Sequence, residues 1–563
     1  MSDPEQIWRT AFRHPGRWDD VFPPLSMVEL FEASANAHPQ ASLLDFMGRK
    51  YSYGETLDGA RRVACGLKAL GYGKGDRIGL FLPNVPHYVA AYYGILMLGA
   101  TVVNFSPLYT ADELASQVED SGTRLLFTLS ASALLPTALK VLEHSTLQRL
   151  VVGSVAGALP PAKSLFYRLF RGGEVTPRPH DARIQAFSQL IHNDGACDTP
   201  AIDPEQDLAL IQYTGGTTGV PKGAMLSHQN LSANARQVAR LDPHLGEQKD
   251  TILGVLPFFH VFANTCVLNR TVLTGGEITM LPRFNAKQAL AELRRTRPQS
   301  LPGVPTMYQA LLDAPGMQPG DFKSLVFCIS GGAPLPLALK TQWEQVTGAR
   351  VIEGYGLSES SGVVSTNPYE GLNKTGTIGQ PLAGTRVRLV DESSSELLLS
   401  VTRGEADFGL TYIGVNDADI EFESLVSDPF VVACSRNHPF AKRRWVRWKD
   451  LEGEPYIALA QGSGNRLLLD QHLANSEHAP RWYCEVRHVP ALVSLVESGA
   501  GVGVVPRLAM PLDAHSNLVS VPLREPSINR NLGIIRRRGR ALGAAAQLFH
   551  DLLVASIKER SRP

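Results

Sequence analysis

Eleven residues from Tyr213 to Gly223, Tyr-Thr-Gly-Gly-Thr-Thr-Gly-Val-Pro-Lys-Gly, combine four glycines, three threonines and one lysine. Glycine lets backbone N–H groups approach a phosphate closely, threonine hydroxyls donate to it or help hold a metal, and Lys222 adds a mobile positive charge. The stretch therefore reads as a phosphate cradle. It is not G-x-x-x-x-G-K-[ST], because Pro221 and Gly223 flank the lysine. A flexible linker of this composition would not sit between the strand-like run Leu208–Tyr213 and a segment from Ser227 that reads as a helix.

Four further segments carry chemistry. Leu256-Pro-Phe-Phe-His-Val-Phe262 sets His260 among aromatics, where a lone histidine is more often a satisfied core group. Gly303-Val-Pro-Thr-Met-Tyr308 and Ser330-Gly-Gly-Ala-Pro-Leu-Pro336 are turn-rich ends of strand-like runs, the places where ligands of open α/β sheets bind. Val351-Ile-Glu-Gly-Tyr-Gly-Leu-Ser-Glu359 offers an aromatic ring between glycines, a hydroxyl, and a carboxylate four residues after the ring. That set can stack a base, hold a phosphate oxygen and ligate Mg²⁺.

The elements that must position these groups alternate. Ala60–Leu70 has apolar residues at helical spacing and ends at Gly71, Arg77–Leu82 reads as a buried strand, Ala111–Asp120 as a helix and Arg124–Leu129 as a strand. Gly79 to Ala111 holds no charged residue, but Pro83, Pro86 and Pro107 bracket its apolar part. A buried helix and the strand Thr101–Phe105 account for it better than a membrane span. Such alternation predicts an α/β fold with a largely parallel sheet. Residues 155–200 turn irregular. Within them Lys163-Ser-Leu-Phe-Tyr-Arg-Leu-Phe-Arg171 is basic and aromatic, expected as a solvated helix with its aromatics inward and, as the alternative, a membrane contact.

Bulk properties exclude several classes. A chain of 563 residues predicts more than one domain, and 54 basic against 54 acidic residues give no electrostatic reason for a nucleic-acid partner. Six scattered cysteines without C-x-x-C argue against a disulfide framework and a structural zinc, and for a reducing compartment. The N-terminus has no signal-peptide pattern, so the expected location is the cytoplasm, with at most peripheral contact at the inner membrane.

Residues 1–391 resemble the large N-terminal domain of the AMP-forming adenylating enzymes, in particular the bacterial long-chain fatty acid–CoA ligases. The resemblance implies two steps. A fatty or other carboxylic acid and ATP give acyl-adenylate and pyrophosphate, and coenzyme A then displaces AMP. Thr214, Gly215, Gly216, Thr217, Thr218, Gly219 and Lys222 match the family's phosphate loop, with Gly216 where serine is common. Gly332, Ala333 and Pro334, with Glu353, Gly354, Tyr355 and Gly356, match the adenine pocket, Tyr355 as its stacking ring. Ser358 matches a phosphate-contacting hydroxyl, and Glu359, joined by Thr214, the Mg²⁺ ligands. His260 matches a histidine between the nucleotide and acyl sites. Lys222, His260 and Glu359 are thus the expected catalytic groups.

The family continues with a Thr-Gly-Asp segment and a mobile domain bearing a lysine in a Gly-Lys context. Residues 392–563 hold no Thr-Gly-Asp, and their lysines, Lys442, Lys449 and Lys558, are not preceded by glycine. The adenylating unit is expected to lack its lid. Residues 392–563 instead resemble a partial effector-binding domain of LysR-type regulators, a two-lobed, periplasmic-binding-protein-like α/β domain, through Asp407–Leu410, His438-Pro439, Gly462–Asn465 and Gly499–Pro506. Ser463, Gly464 and Asn465, just ahead of a helix, are candidate donors to a small anionic effector, an ordinary helix cap being the competing reading. The regulators' DNA-binding helices are absent from this stretch, with the join near 390–395. Three functions compete: an ATP-dependent ligase impaired by the missing lid, a small-ligand-binding module, and a chimera without turnover.

Overall fold

The computed structural model describes residues 11–563 except 171, 215–220, 244–249, 372, 375, 386–393, 413–418, 462, 475–477, 479, 487, 511–516, 540–541, 543–545, 548–549, 552, 555–556 and 558–563. The chain divides into two compact units, with the boundary between Val387 and Arg388.

The first unit holds two sheets. The sixteen strands described there are β1 (Ser42–Phe46), β2 (Arg49–Ser52), β3 (Arg77–Leu80), β4 (Thr101–Asn104), β5 (Leu125–Leu129), β6 (Arg149–Gly153), β7 (Ile184–Ala186), β8 (Leu208–Thr214), β9 (Lys222–Ser227), β10 (Thr251–Gly254), β11 (Glu277–Met280), β12 (Ser300–Gly303), β13 (Phe327–Ser330), β14 (Val351–Leu357), β15 (Gly362–Thr366) and β16 (Gln380–Pro381). One sheet runs β7-β6-β5-β3-β4-β8-β9 and is parallel up to β8, where β9 closes an antiparallel edge. The other runs β16-β15-β14-β13-β12-β10-β11-β1-β2, with a parallel centre from β14 to β1. The parallel α/β architecture expected from the alternating pattern is present.

Local sequence explains the crossover helices. Helix Tyr53–Ala69 opens on a reciprocal Ser52/Glu55 cap, helix Ala111–Ser121 on Thr110/Glu113, and helix Pro86–Met97 on a proline that needs no N–H partner. The uncharged stretch after Gly79 becomes that buried helix and strand β4, with Tyr88, Tyr92 and Tyr93 fully buried. No helix among the described residues is long and apolar enough to cross a membrane.

The segment from Ser227 is the helix that the sequence predicts, His228–Ala239 with Ser227 as its cap, and ahead of it β9 pairs antiparallel with β8, Thr214 opposite Lys222. Two expectations need correction. Helix Pro161–Phe170 does not bury all its aromatics, since Phe166 is 58% exposed. And Cys65 is bonded to Cys197, their Cα atoms 5.6 Å apart although 132 residues separate them in sequence. Long-range packing brings the pair together: Asn193 Nδ2 donates to Arg62 O (2.9 Å) and Lys68 Nζ to Asp198 O (2.7 Å), laying residues 193–198 along helix Tyr53–Ala69. Spacing along the chain carries no trace of that contact.

Buried histidines give the first unit an acid limit. His228 Nδ1 accepts from Met27 N (3.3 Å), and desolvation pushes its pKa down to about 4. Desolvation, with Arg49 assisting, does the same to His87, whose ring packs edge-on against Phe187. The folded form holds both neutral, so neither affects stability above the unfolded value near 6.5. Below it the unfolded chain takes up protons that the folded chain refuses. Stability is therefore expected to fall as pH drops from 6.5 towards 4, by about 3 kcal/mol per histidine at the acid end. Urea unfolding at stepped pH checks this; a flat profile between pH 6.5 and 4 would contradict it.

The second unit contains β17 (Phe408–Thr411), β18 (Ile420–Ser435), β19 (Val446–Arg447), β20 (Tyr456–Leu459), β21 (Trp482–Val486), β22 (Val502–Pro506), β23 (Leu518–Arg524) and β24 (Asn529–Arg537) among its described residues. β18 serves two lobes. Its residues up to Pro429 pair with β24, and those from Phe430 pair with β22 and β23. Each lobe has its own core: Val401, Ile420 and Ile535 in one, Val432, Trp448 and Val504 in the other. Gly499, at φ +82°, turns the chain ahead of β22, and within β22 a Cβ at Gly503 would lie 2.4 Å from Leu492.

Candidate active site

Three neighbouring parallel strands of the first unit end side by side. Gly303 of β12 lies opposite Ser330 of β13, and Ser330 lies opposite Glu353 of β14. Past these ends the chain turns away through Pro305, the first residue of helix Pro305–Leu312, and through Gly331–Pro336. A Cβ at Gly331 would stand 3.2 Å from Phe262 and 3.4 Å from Gly354 O, so a side chain there would crowd the Phe262 ring. Gly332, at φ +75°, then turns Gly332, Ala333 and Pro334 into an exposed lip. Leu335 N donates to Glu353 Oε1 (3.0 Å), while burial raises the Glu353 pKa.

Beyond Glu353, β14 changes partner and pairs antiparallel with β15, with an irregularity between Tyr355 and Gly356. A Cβ at Gly356 would fall 1.7 Å from Gly362 O. The two strands are thus pressed together beside Tyr355, which is half-buried and lies opposite Ser365. Asn234 fixes β15 from behind: its Nδ2 donates to Val363 O (2.7 Å) and its Oδ1 accepts from Val363 N (2.9 Å). Sequence reasoning missed Asn234, which is an unremarked polar residue in helix His228–Ala239; no motif marks it.

The short turn Ser358–Ser360 follows β14 and packs against both β8 and β9. This brings Ser358 and Glu359 to the strands that carry Thr214 and Lys222. Thr214 Oγ1 donates to Lys222 O (3.3 Å), and the Lys222 and Glu359 side chains are exposed. Gly215, Gly216, Thr217, Thr218 and Gly219 lie outside the described residues. His260 heads the short helix Val261–Ala263, its Nδ1 accepting from Phe262 N (3.3 Å). Its ring keeps an exposed edge, yet the surrounding protein lowers its pKa by desolvation. Phe262, two residues on, is the side chain that a Cβ at Gly331 would meet. The core-histidine alternative does not describe it.

Among the described residues no three His, Cys, Asp or Glu side chains cluster as a metal cage. A nucleotide-borne Mg²⁺ needs only one or two carboxylates beside phosphate oxygens and water. An exposed Glu359 next to the Thr214–Lys222 hairpin fits that donor set.

In the second unit, Ser463 occupies the cap position of helix Gly464–Leu473 without a side-chain cap bond. Asn465 is buried, and its Oδ1 accepts from Arg530 Nη1 (3.1 Å). Arg530 also donates to Asp428 Oδ2 (3.0 Å from Nε) and lies over the Tyr412 ring, while a Cβ at Gly464 would be 2.0 Å from the Tyr412 hydroxyl. The candidate effector residues therefore adjoin a self-satisfied cluster at the crossing between the lobes.

Comparison with known proteins separates the same two parts. A family model for AMP-binding enzymes matches residues 31–406, and one for the LysR substrate binding domain matches residues 383–558. A long-chain-fatty-acid–CoA ligase of Bacillus subtilis is 37% identical over 386 residues, 68% of this chain and 69% of that protein. The corresponding ligase of Escherichia coli O157:H7 is 34% identical over 380 residues, 66% and 67% of the two. An uncharacterized HTH-type transcriptional regulator of Escherichia coli K12 is 42% identical over 169 residues, 30% of this chain and 53% of that protein. Among solved structures, an anthranilate CoA ligase in complex with anthranoyl-AMP superimposes with a TM-score of 0.58 at 23% identity, covering 66% of this chain and 67% of that one. A long-chain-fatty-acid–CoA ligase from Archaeoglobus fulgidus gives 0.55 at 24%, covering 71% and 73%. At those identities the structural likeness speaks for the fold.

Proposed function

Because the chain belongs to the AMP-binding enzyme family, we propose that residues 1–391 are an adenylating unit for long-chain fatty acids, using ATP, Mg²⁺ and coenzyme A. We place it in the cytoplasm, with at most peripheral contact at the inner membrane. The observation that carries this reading is the convergence of the β12–β14 strand ends, the Tyr355 turn and the Thr214–Lys222 hairpin on one edge of the first unit.

Attack of a fatty carboxylate on the α-phosphate brings negative charges together, so catalysis is chiefly their neutralisation and alignment. Tyr355 stacks the adenine, with Gly332–Pro334 and Glu353–Gly354 as its walls. Lys222 and the hydroxyls of Thr214 and Ser358 meet the phosphates. Glu359 with Thr214 would hold Mg²⁺, which would supply countercharge to the phosphates. His260, held neutral by desolvation, orients the carboxylate as a hydrogen-bond partner without adding a charge. No protein nucleophile is required. Residues 392–563 replace the lid that the family uses, and the transition-state contacts of that lid are lost with it. Loss of one such contact commonly costs about 10²–10³-fold in rate.

The expected result with oleate, ATP, Mg²⁺ and coenzyme A is weak ATP binding and acyl-CoA formation about 10²–10³-fold below a lid-bearing ligase. AMP release at the rate of such a ligase would overturn the impaired-lid reading. The match of residues 383–558 to the LysR substrate binding domain favours a second reading, a small-molecule-binding module. A melting shift with small aromatic or dicarboxylic acids but none with ATP would select it. Silence with all of these would leave a chimera without turnover.

A further inference from the structure

A cavity of about 430 Å³ lies in the first unit between residues 21–23, helix His228–Ala239 and the end of helix Arg270–Thr274. Arg236 and Arg240 line it beside Phe22 and Leu273. The two arginines are one helical turn apart, so both guanidinium groups serve the same face. A polar network fixes the wall. Gln229 Nε2 donates to Phe22 O (2.7 Å) and Ser232 Oγ to Leu25 O (2.6 Å), while Gln229 Oε1 accepts from Leu25 N (3.0 Å), which pins this segment to the helix. Arg236 joins the same network. Its Nε donates to Ser232 O (3.1 Å) and its Nη2 to Gln229 Oε1 (3.2 Å), and its guanidinium lies over the Phe22 ring at 5.6 Å. What the network lacks is an anion. Arg236 is half-buried, and burial lowers its pKa with no neighbouring carboxylate to oppose the shift. Among the described residues neither Arg236 nor Arg240 forms an ion pair.

We propose that this cavity binds a small organic anion, a carboxylate or phosphate head on an apolar body. Arg236 Nη1, which has no partner among the described residues, and the Arg240 guanidinium hold the head, while Phe22 and Leu273 take the body. The planar guanidinium fork matches carboxylate and phosphate alike, and its bonds to an anion strengthen where water is partly excluded. The volume lies near the lower end of the usual range for ligand pockets, about 300–1,000 Å³, which favours a compact molecule. This site is separate from the nucleotide site. Asn234, which holds β15 next to Tyr355, comes two residues before Arg236 and so lies about 200° away round the helix. Nothing in the chemistry of the cavity depends on adenylation.

The test is isothermal titration calorimetry of the full chain with phenyl phosphate, phenylacetate, inorganic phosphate and the neutral benzyl alcohol. One or both aromatic anions are expected to bind, and the tighter of them identifies the head. Benzyl alcohol, which lacks the charge, and inorganic phosphate, which lacks the body, should each bind at least tenfold more weakly. The double variant R236Q/R240Q should lose at least tenfold of the affinity. Should that variant melt lower, Arg240→Glu, at an exposed side chain outside the polar network, provides the independent readout with a loss of the same size. Saturating ATP with Mg²⁺ should leave the affinity of the wild type unchanged. Binding of neither aromatic anion overturns the proposal, as does binding that survives both variants and therefore lies elsewhere in the chain. Inorganic phosphate bound as tightly as phenyl phosphate, or competition by ATP, also overturns it. Failure of acyl-CoA synthesis would leave these titrations unchanged, so the two readings fail separately.

Discussion

Arg270→Met is expected to lower the unfolding free energy of the first unit by about 3–5 kcal/mol, the cost of leaving buried charge without its partner. Arg270 is 1% exposed, and its guanidinium donates to Asp242 (2.9 Å) and to Asp250. Ser300 Oγ donates to the other oxygen of Asp250 (2.9 Å), and the face of Phe327 lies under the guanidinium at 5.7 Å. Burial opposes the charge on Arg270, but the two carboxylates more than compensate, so its pKa is raised. Methionine fills much of the volume and leaves two largely buried carboxylates without their shared cation. Urea unfolding of the full chain measures the loss. The triple change R270M/D242N/D250N, which removes every charge, should recover most of it. A loss under about 1 kcal/mol for R270M alone would show the triad to be incidental.

Gly356→Ala should cost about 1–3 kcal/mol and weaken ATP binding at least tenfold, because the new methyl group falls on a backbone oxygen that cannot rotate away. The ideal Cβ is 1.7 Å from Gly362 O and 2.6 Å from Gly362 C. Relief requires β14 and β15 to separate where Tyr355 and Ser365 pair, which moves Tyr355 and loosens the Ser358–Ser360 turn together. A control is at hand in Gly320→Ala, whose Cβ meets nothing within 4 Å. ATP titration followed by intrinsic fluorescence, beside a melting curve, separates the two effects. Unchanged ATP affinity in G356A would remove the β14–β15 junction from the nucleotide site.

Much of the site was legible because its chemistry is local. The glycines and hydroxyls around Lys222, the turn-rich segments after Gly303 and Ser330, and the ring-to-carboxylate spacing from Tyr355 to Glu359 are each short runs whose composition has few other uses. The strand and helix pattern from Arg77 to Leu129 was equally plain, since period and capping are set by residues within a few positions of one another. That the chain passes from one family to another was legible for the same reason: short motifs of the first are followed by short motifs of the second.

Partnership between distant residues was not legible. Asn234 holding β15, Arg270 between Asp242 and Asp250, and Cys65 beside Cys197 all join positions that no period or motif relates. The outward face of helix Pro161–Phe170 belongs with them. Its apolar residues would suit a buried face as well as an exposed one, and only the arrangement of the β1–β2 hairpin around its root turns them outward. The hairpin at Thr214–Lys222 shows the division most clearly. Composition alone marked it as a phosphate cradle, because glycine freedom and hydroxyl donors are properties of the residues themselves. That β9 returns along β8, and that the Ser358–Ser360 turn packs against both, depends on where the two sheets are placed by hundreds of residues of core. Residue chemistry is local and can be read from the chain, whereas the meeting of that chemistry in space is decided by burial summed over the whole unit.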